Sequence, residues 1–272
     1  MLMQVNSKCA HHVENRSIVG QPSAAMTYRT RPFSLEFAGR RISSAIPRWS
    51  KLYYLISSRH SSLKSGTQPT RASRLGGALG LEDAAFRVEW KTTRPRIMLG
   101  HLSFHEALTD ISRTLIGSVD AVAVARVCEE RVREKAIAFA AIDEDVVALV
   151  SQLRGRGVSL AVISNCFAED VRSWSTWPLA CEFQCSVFSC VAGLTKPDPE
   201  IYLKATRELG VEPDAAVFIG DGGDGELVGA GMAGLRAFRA DWFSSRWSHV
   251  RSSDRGVGLA NPREVLSLVT TV

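Results

Sequence analysis

Three acids crowd one glycine-rich turn. They are Asp221, Asp224 and Glu226, inside the stretch AAVFIGDGGDGELVGAGMAG that runs from Ala215 to Gly234. Carboxylates this close repel one another, and a hard cation such as Mg²⁺, which takes oxygen ligands, relieves that repulsion. The plain alternative is one acid capping a helix while the others face water. Two more polar groups recur at comparable places. Ser164-Asn165 ends an apolar run, and Lys196 follows the next apolar segment. A hydroxyl, an ammonium and cation-holding carboxylates together suit a phosphoryl group: the first two grip its oxygens while the cation offsets its charge.

The elements that must bring these groups together read as alternating strands and helices. Asp143 to Leu153 has a helical pattern with Asp143 as N-cap, and Gly155 and Gly157 close it. Ser159 to Ile163 is predicted to be a strand, Ala168 to Trp174 a short helix, and Ser186 to Val191 a strand. Asp198-Pro199 opens a helix that runs to Leu209, with Gly210 beyond its last turn. The run Ala216–Ile219 is a buried strand leading through the acidic turn into a helix from Glu226. Leu235 to Ala240 is a further strand, and Asn261-Pro262-Arg263-Glu264 starts a last capped helix. Such alternation predicts a doubly wound parallel sheet, an α/β fold whose ligands sit at the carboxyl ends of the strands. All three polar groups then fall on one edge.

Residues 75–140 differ, being helical throughout. Glu82 to Trp90 has a helical pattern. Ser103 and Glu106 form a capping box ahead of Leu108, Ile111 and Leu115, and Asp120 to Phe139 is amphipathic. His101 and His105 are four apart, but His101 precedes the cap and lies off the helix, which argues for surface histidines over ligands. Residues 1–74 differ again: rich in Ser and Arg, without Asp, and with Leu52–Ile56 (LYYLI) as their best candidate strand. A disordered basic tail, an organelle transit peptide, and a misplaced start site or reading frame each account for that composition.

The totals are those of a soluble globular chain: 272 residues, 45% apolar and 22% charged. No apolar run reaches the roughly 18 residues of a membrane span. The net charge of +5 conceals +10 over residues 1–81 and −5 over the rest, so the basicity says little about what the main domain binds. Basic composition without interleaved aromatic platforms gives nucleic-acid binding weak support. Six cysteines without a CxxC pair or a nearby histidine argue against zinc. Buried reduced thiols in a cytoplasmic protein are the expectation.

Taken in order, AVISNCF, GLTKPDPEIY and VFIGDGGDGEL resemble the second, third and fourth motifs of the haloacid-dehalogenase-like hydrolases, over roughly residues 75–272. The resemblance implies a Rossmann-like core over 141–272 beneath a helical cap over 75–140, with 1–74 an irregular basic segment. It implies that Ser164 and Asn165 bind the transferring group and that Lys196 steadies the nucleophile and the phosphoryl charge. Asp221 would hold Mg²⁺ with Glu226, which matches the family's spacing, ranked above Asp224, which is off register by one. The substrate would be a small phosphorylated molecule rather than a halogenated one.

One part of the family pattern is missing. Its nucleophile is the first Asp of an Asp-x-Asp motif ending the first strand, yet no Asp here precedes Asp83, and Leu52–Ile56 runs into Ser57-Ser58-Arg59. Asp143-Glu144-Asp145 has the spelling, but lies only 21 residues before Ser164, where the family has a helix. The expectation is a hydrolase body lacking its first strand, weakly active or inactive. Two rival readings follow: a non-catalytic remnant or binding protein of the same fold, and a dinucleotide-binding protein. The latter rests on Gly220–Gly225, which spells GxGxxG between strand and helix, with Asp241 about 20 residues on.

Overall fold

Among the 272 residues, the computed structural model describes 71–140, 143–242 and 256–269. The candidate strand Leu52–Ile56 lies outside them. The first half of the described chain is four helices: α1 (Arg71–Ala78), α2 (Asp83–Met98), α3 (Phe104–Ile116) and α4 (Ala121–Ala140). Their ends are fixed locally. The Glu82 carboxylate accepts the amides of Ala84 and Ala85 to open α2. Ser103 and Glu106 exchange bonds to open α3, and Gly117, at φ 71°, turns the chain out of it. Phe104, Ala107, Leu108 and Ile111 recur on one face of α3 and bury against Phe86 and Ile97 of α2 and Val124 and Val127 of α4.

The second half alternates. Helix α5 (Glu144–Gly155) precedes β1 (Ala161–Ser164); β2 (Cys185–Phe188) is followed by the one-turn α6 (Ser189–Ala192) and by α7 (Pro199–Leu209). Then come β3 (Val217–Gly220), α8 (Glu226–Met232), β4 (Arg236–Ala240) and β5 (Gly258–Leu259). Among the described residues every strand pairing is parallel, as expected. Both faces are covered, since alternate residues of a strand point to opposite sides. Val162, Val217 and Ile219 meet Leu149, Val150 and Leu153 of α5 on one side. Ala161, Ile163 and Phe218 meet Ile201 and Tyr202 of α7 and Leu227 of α8 on the other. The ladders are two, β1–β2 and β3–β4–β5; among the described residues no strand hydrogen-bonds to both β1 and β3, although the two share both apolar cores.

Several local expectations are corrected. The strand expected over Ser186–Val191 ends at Phe188, because Ser189 turns back to bond the loop after β1. Ala168–Trp174 is not one helix but two 3₁₀ turns, Ala168–Val171 and Trp174–Thr176. The capped C-terminal helix is 3₁₀ over Pro262–Leu268, with Asn261 accepting the Arg263 amide. Asp143 caps α5 by accepting the Asp145 amide. The described cysteines are all free thiols; Cys166 and Cys185 are buried, Cys128 and Cys190 half-buried, and Cys181 is exposed, so the expected burial holds for some of them and not for Cys181.

Candidate active site

Ser164 is the last residue of β1 and Asp221 the first after β3, while Lys196 lies in the loop between α6 and α7. In a parallel arrangement these are carboxyl ends, and a chain of contacts runs from Asn165, next to Ser164, through Lys196 and Glu226 to the turn that carries Asp221. The Asn165 side chain grips the Lys196 backbone twice: its Nδ2 donates to the Lys196 carbonyl at 2.9 Å, and its Oδ1 accepts the Lys196 amide at 2.8 Å. Lys196 Nζ in turn donates to Glu226 Oε2 at 2.6 Å. The other oxygen, Glu226 Oε1, accepts the Gly222 amide at 3.0 Å, and Asp221 Oδ1 accepts the Gly223 amide at 2.8 Å. Ser164, Lys196, Asp221 and Glu226 are all buried. Asp224 is exposed at the crest of the turn, in the left-handed region at φ 54°.

Close backbone packing makes this possible. A Cβ at Gly220 would overlap Glu226 Oε1, and one at Gly229 would overlap the Pro197 carbonyl. Glycine at these two places lets the acid reach under β3 and lets the Lys196 loop lie on α8. Tyr202, from the first turn of α7, donates its hydroxyl to the Glu226 carbonyl at 2.8 Å and fixes the first turn of α8. Burial pushes the Glu226 carboxyl up, Lys196 opposes that shift, and the neighbouring Asp221 charge adds to it.

That crowding is what a hard cation would relieve. Among the described residues no three His, Cys, Asp or Glu side chains converge as a complete metal cage. Mg²⁺ is commonly held by one or two carboxylates together with substrate phosphate and water, a role that Asp221 suits better than Glu226, whose two oxygens are engaged by Lys196 and the Gly222 amide. His101 and His105 are exposed and lie outside this cluster. The dinucleotide reading fails on the same geometry: the turn's amides already serve the chain's own acids, so a pyrophosphate would meet carboxylates where it needs donors.

The sequence reading missed Arg131, Lys135 and Asp170. Arg131 donates to Asp170 at 2.7 Å, with Lys135 Nζ 3.8 Å from the same carboxylate. The Arg131 guanidinium lies 4.3 Å from the Phe167 ring centroid and 5.0 Å from that of Phe104. Asp170 also accepts the Phe167 amide, so α4 is tied to the loop that follows Ser164 and carries Asn165. A signal was present. Val124, Val127, Arg131 and Lys135 continue one helical stripe, and charge where apolar residues belong implies a buried partner.

A family profile described as haloacid dehalogenase-like hydrolase matches residues 40–234, opening well before residue 75, where the sequence motifs had placed the start. A glyceraldehyde 3-phosphate phosphatase of Methanopyrus kandleri is 32% identical over 130 residues, 46% of this chain and 55% of that one. A phosphoserine phosphatase of Thermus thermophilus is 32% identical over 119 residues, 41% and 48% of the two chains. The chain thus spans about half the length of these curated relatives. Among solved structures, a 2-haloacid dehalogenase of Pseudomonas syringae shares the fold at TM-score 0.51 and 20% identity, covering 81% of this chain and 97% of that one. No helix among the described residues is long and apolar enough to cross a membrane.

Proposed function

The chain belongs to the haloacid dehalogenase-like hydrolases, and from that premise we propose that it is a Mg²⁺-assisted phosphatase of small phosphorylated molecules, with slow turnover. The observation that carries this reading is the linked set Asn165–Lys196–Glu226 beside Ser164 and Asp221. It offers a hydroxyl and an ammonium to an anionic group, with the Lys196 ammonium 6.0 Å from the Phe218 ring centroid. The phosphatase relatives support the substrate class. In this reading residues 75–140 are the cap that covers the site, and 141–272 the core that carries it.

Ser164 would donate to a phosphoryl oxygen. Lys196, held by Asn165 and Glu226, would offset charge as the leaving oxygen departs. When bound, Mg²⁺ would neutralise phosphate charge and orient the substrate, with Asp221 as its main protein ligand, Glu226 beside it and Asp224 at the rim. Slow turnover follows from the attacking group. In the given sequence no Asp precedes Asp83 and Leu52–Ile56 runs into Ser57-Ser58-Arg59, so the attacking aspartate of the family pattern has no counterpart at that position.

The test is phosphate release from a panel of phosphomonoesters with and without Mg²⁺. Release that needs Mg²⁺ and is lost in Asp221→Asn supports the phosphatase. The missing aspartate favours a second reading, a binding protein of the same fold. Calorimetric binding of a phosphomonoester without any release would replace the first reading with the second.

A further inference from the structure

Cys166 directly follows Asn165, and its sulfur lies 3.9 Å from that of Cys190 on α6. The two occupy corresponding places beyond paired strands. Ser164 of β1 is in register with Phe188 of β2, and each cysteine sits two residues further along. Ser189 holds the same loop from α6: its Oγ accepts the Cys166 amide at 2.9 Å and donates to the Cys166 carbonyl at 3.1 Å. Both thiols are free; Cys166 is buried and Cys190 half-buried. The hydrolysis proposed above uses neither.

We propose that Cys166 and Cys190 form a modification site, a dithiol that a hydroperoxide closes to a disulfide, and that closure displaces Asn165 from Lys196. Cys190 is the attacking sulfur. It is half-buried where Cys166 is buried, so a peroxide reaches it first, and the contact between the two sulfurs holds its thiol below the usual range while the same contact and burial push the Cys166 thiol up. The Cys190 thiolate attacks one peroxide oxygen, the O–O bond breaks, and a sulfenic acid forms as the alcohol or water leaves with a proton. The Cys166 sulfur then attacks that sulfenic sulfur. The S–O bond breaks, and the departing hydroxide takes the Cys166 proton as water. Two thiols give up two electrons, and one peroxide accepts them.

The other described cysteines lack this arrangement. Burial pushes the Cys128 thiol up to about 11. Burial also raises Cys185, whose thiol donates to Glu208 at 3.1 Å. Exposed Cys181 donates to the Pro178 carbonyl at 3.3 Å. Bringing two sulfurs from 3.9 Å to a bond of about 2.0 Å draws Cys166 toward α6, and Asn165 moves with it. The two bonds by which Asn165 holds Lys196 are then lost. The consequence for turnover rests on the phosphatase reading; the thiol chemistry does not.

The experiment treats the reduced full chain with hydrogen peroxide and follows intact mass, a non-reducing tryptic digest, and deuterium exchange. The expected result is loss of two hydrogens and a crosslink between peptide 157–172, which carries Cys166, and peptide 173–204. The second peptide also carries Cys181 and Cys185, so absence of the crosslink in Cys190→Ser assigns it. Exchange at the Lys196 amide should rise roughly tenfold, the effect of losing one hydrogen bond, and dithiothreitol should reverse it. Oxygen added to Cys190 without a crosslink, or links made only through Cys181, would overturn the site. A Cys166–Cys190 crosslink with unchanged Lys196 exchange would overturn the coupling. A chain with no phosphatase turnover in either state would count against the phosphatase alone, because crosslink and exchange still decide this proposal.

Discussion

Lys196 Nζ and Glu226 Oε2 stand 2.6 Å apart with both side chains buried, one held by the loop after α6 and the other opening α8. The pair spans the two halves of the α/β layer. Removing one member strands the other as an uncompensated buried charge.

Lys196→Met should therefore destabilise the chain by about 3–5 kcal/mol, the usual result of breaking a buried ion pair. Lys196→Met combined with Glu226→Gln should recover part of that loss, because no charge is left unmatched. Urea unfolding midpoints of the two variants make the comparison, and equal midpoints would count against the pair.

Gly229→Ala places a Cβ against the Pro197 carbonyl, which is backbone and cannot rotate away. The Lys196 loop must then lift from α8. A loss of about 1–3 kcal/mol is expected, as for other overpacked sites, together with lower affinity for a phosphomonoester. Gly231→Ala is the control: its Cβ would meet nothing within 4 Å, so its thermal midpoint should stay near that of the parent.

The Arg131–Asp170 contact joins α4 to the loop after β1. Arg131→Met and Asp170→Asn should each weaken the fold. Their double variant should fall short of the sum by about 0.5–3 kcal/mol, since the two remove one shared interaction. A denaturation cycle measures the coupling, and strict additivity would show that the tie carries no energy.

The Ser103 hydroxyl and amide both donate to Glu106 Oε2, at 2.7 and 2.8 Å, and these bonds hold its carboxyl below the ordinary value of 4.5. The folded chain thus favours the ionised form. Its contribution to stability is present above pH 4.5 and fades as pH falls through the lower folded value. Glu106→Gln should melt below the parent at neutral pH and converge with it in acid. A gap between their thermal midpoints that stays constant with pH would contradict this origin.

The elements that announced themselves in the sequence were those fixed by neighbours in the chain. Ser103 and Glu106 cap α3, and Asp198-Pro199 with Gly210 bound α7, because both devices use bonds two to four residues apart. What was misread is held from afar. Ser189 follows an alternating strand pattern, yet its hydroxyl is engaged 23 residues away at Cys166 and turns the chain into α6. Asp170 breaks an apparent helix into 3₁₀ turns because Arg131, 39 residues earlier, claims its carboxylate. In the site, strand ends pointed to Ser164, Lys196 and Asp221. No local pattern could reveal that both Glu226 oxygens are engaged, by Lys196 and by the Gly222 amide.

Phe167 completes the apolar centre of α1–α4 although it belongs to the segment just beyond Ser164. The four helices thus have a ring in their interior that is anchored to the floor beneath them. Swinging those helices aside would return this ring to water at a cost of roughly 1.5–3 kcal/mol, a bias of roughly ten- to a hundredfold toward the seated arrangement. In the proposed reading of these helices as a cap, a molecule that displaced them to reach Ser164 would have to supply that much binding energy.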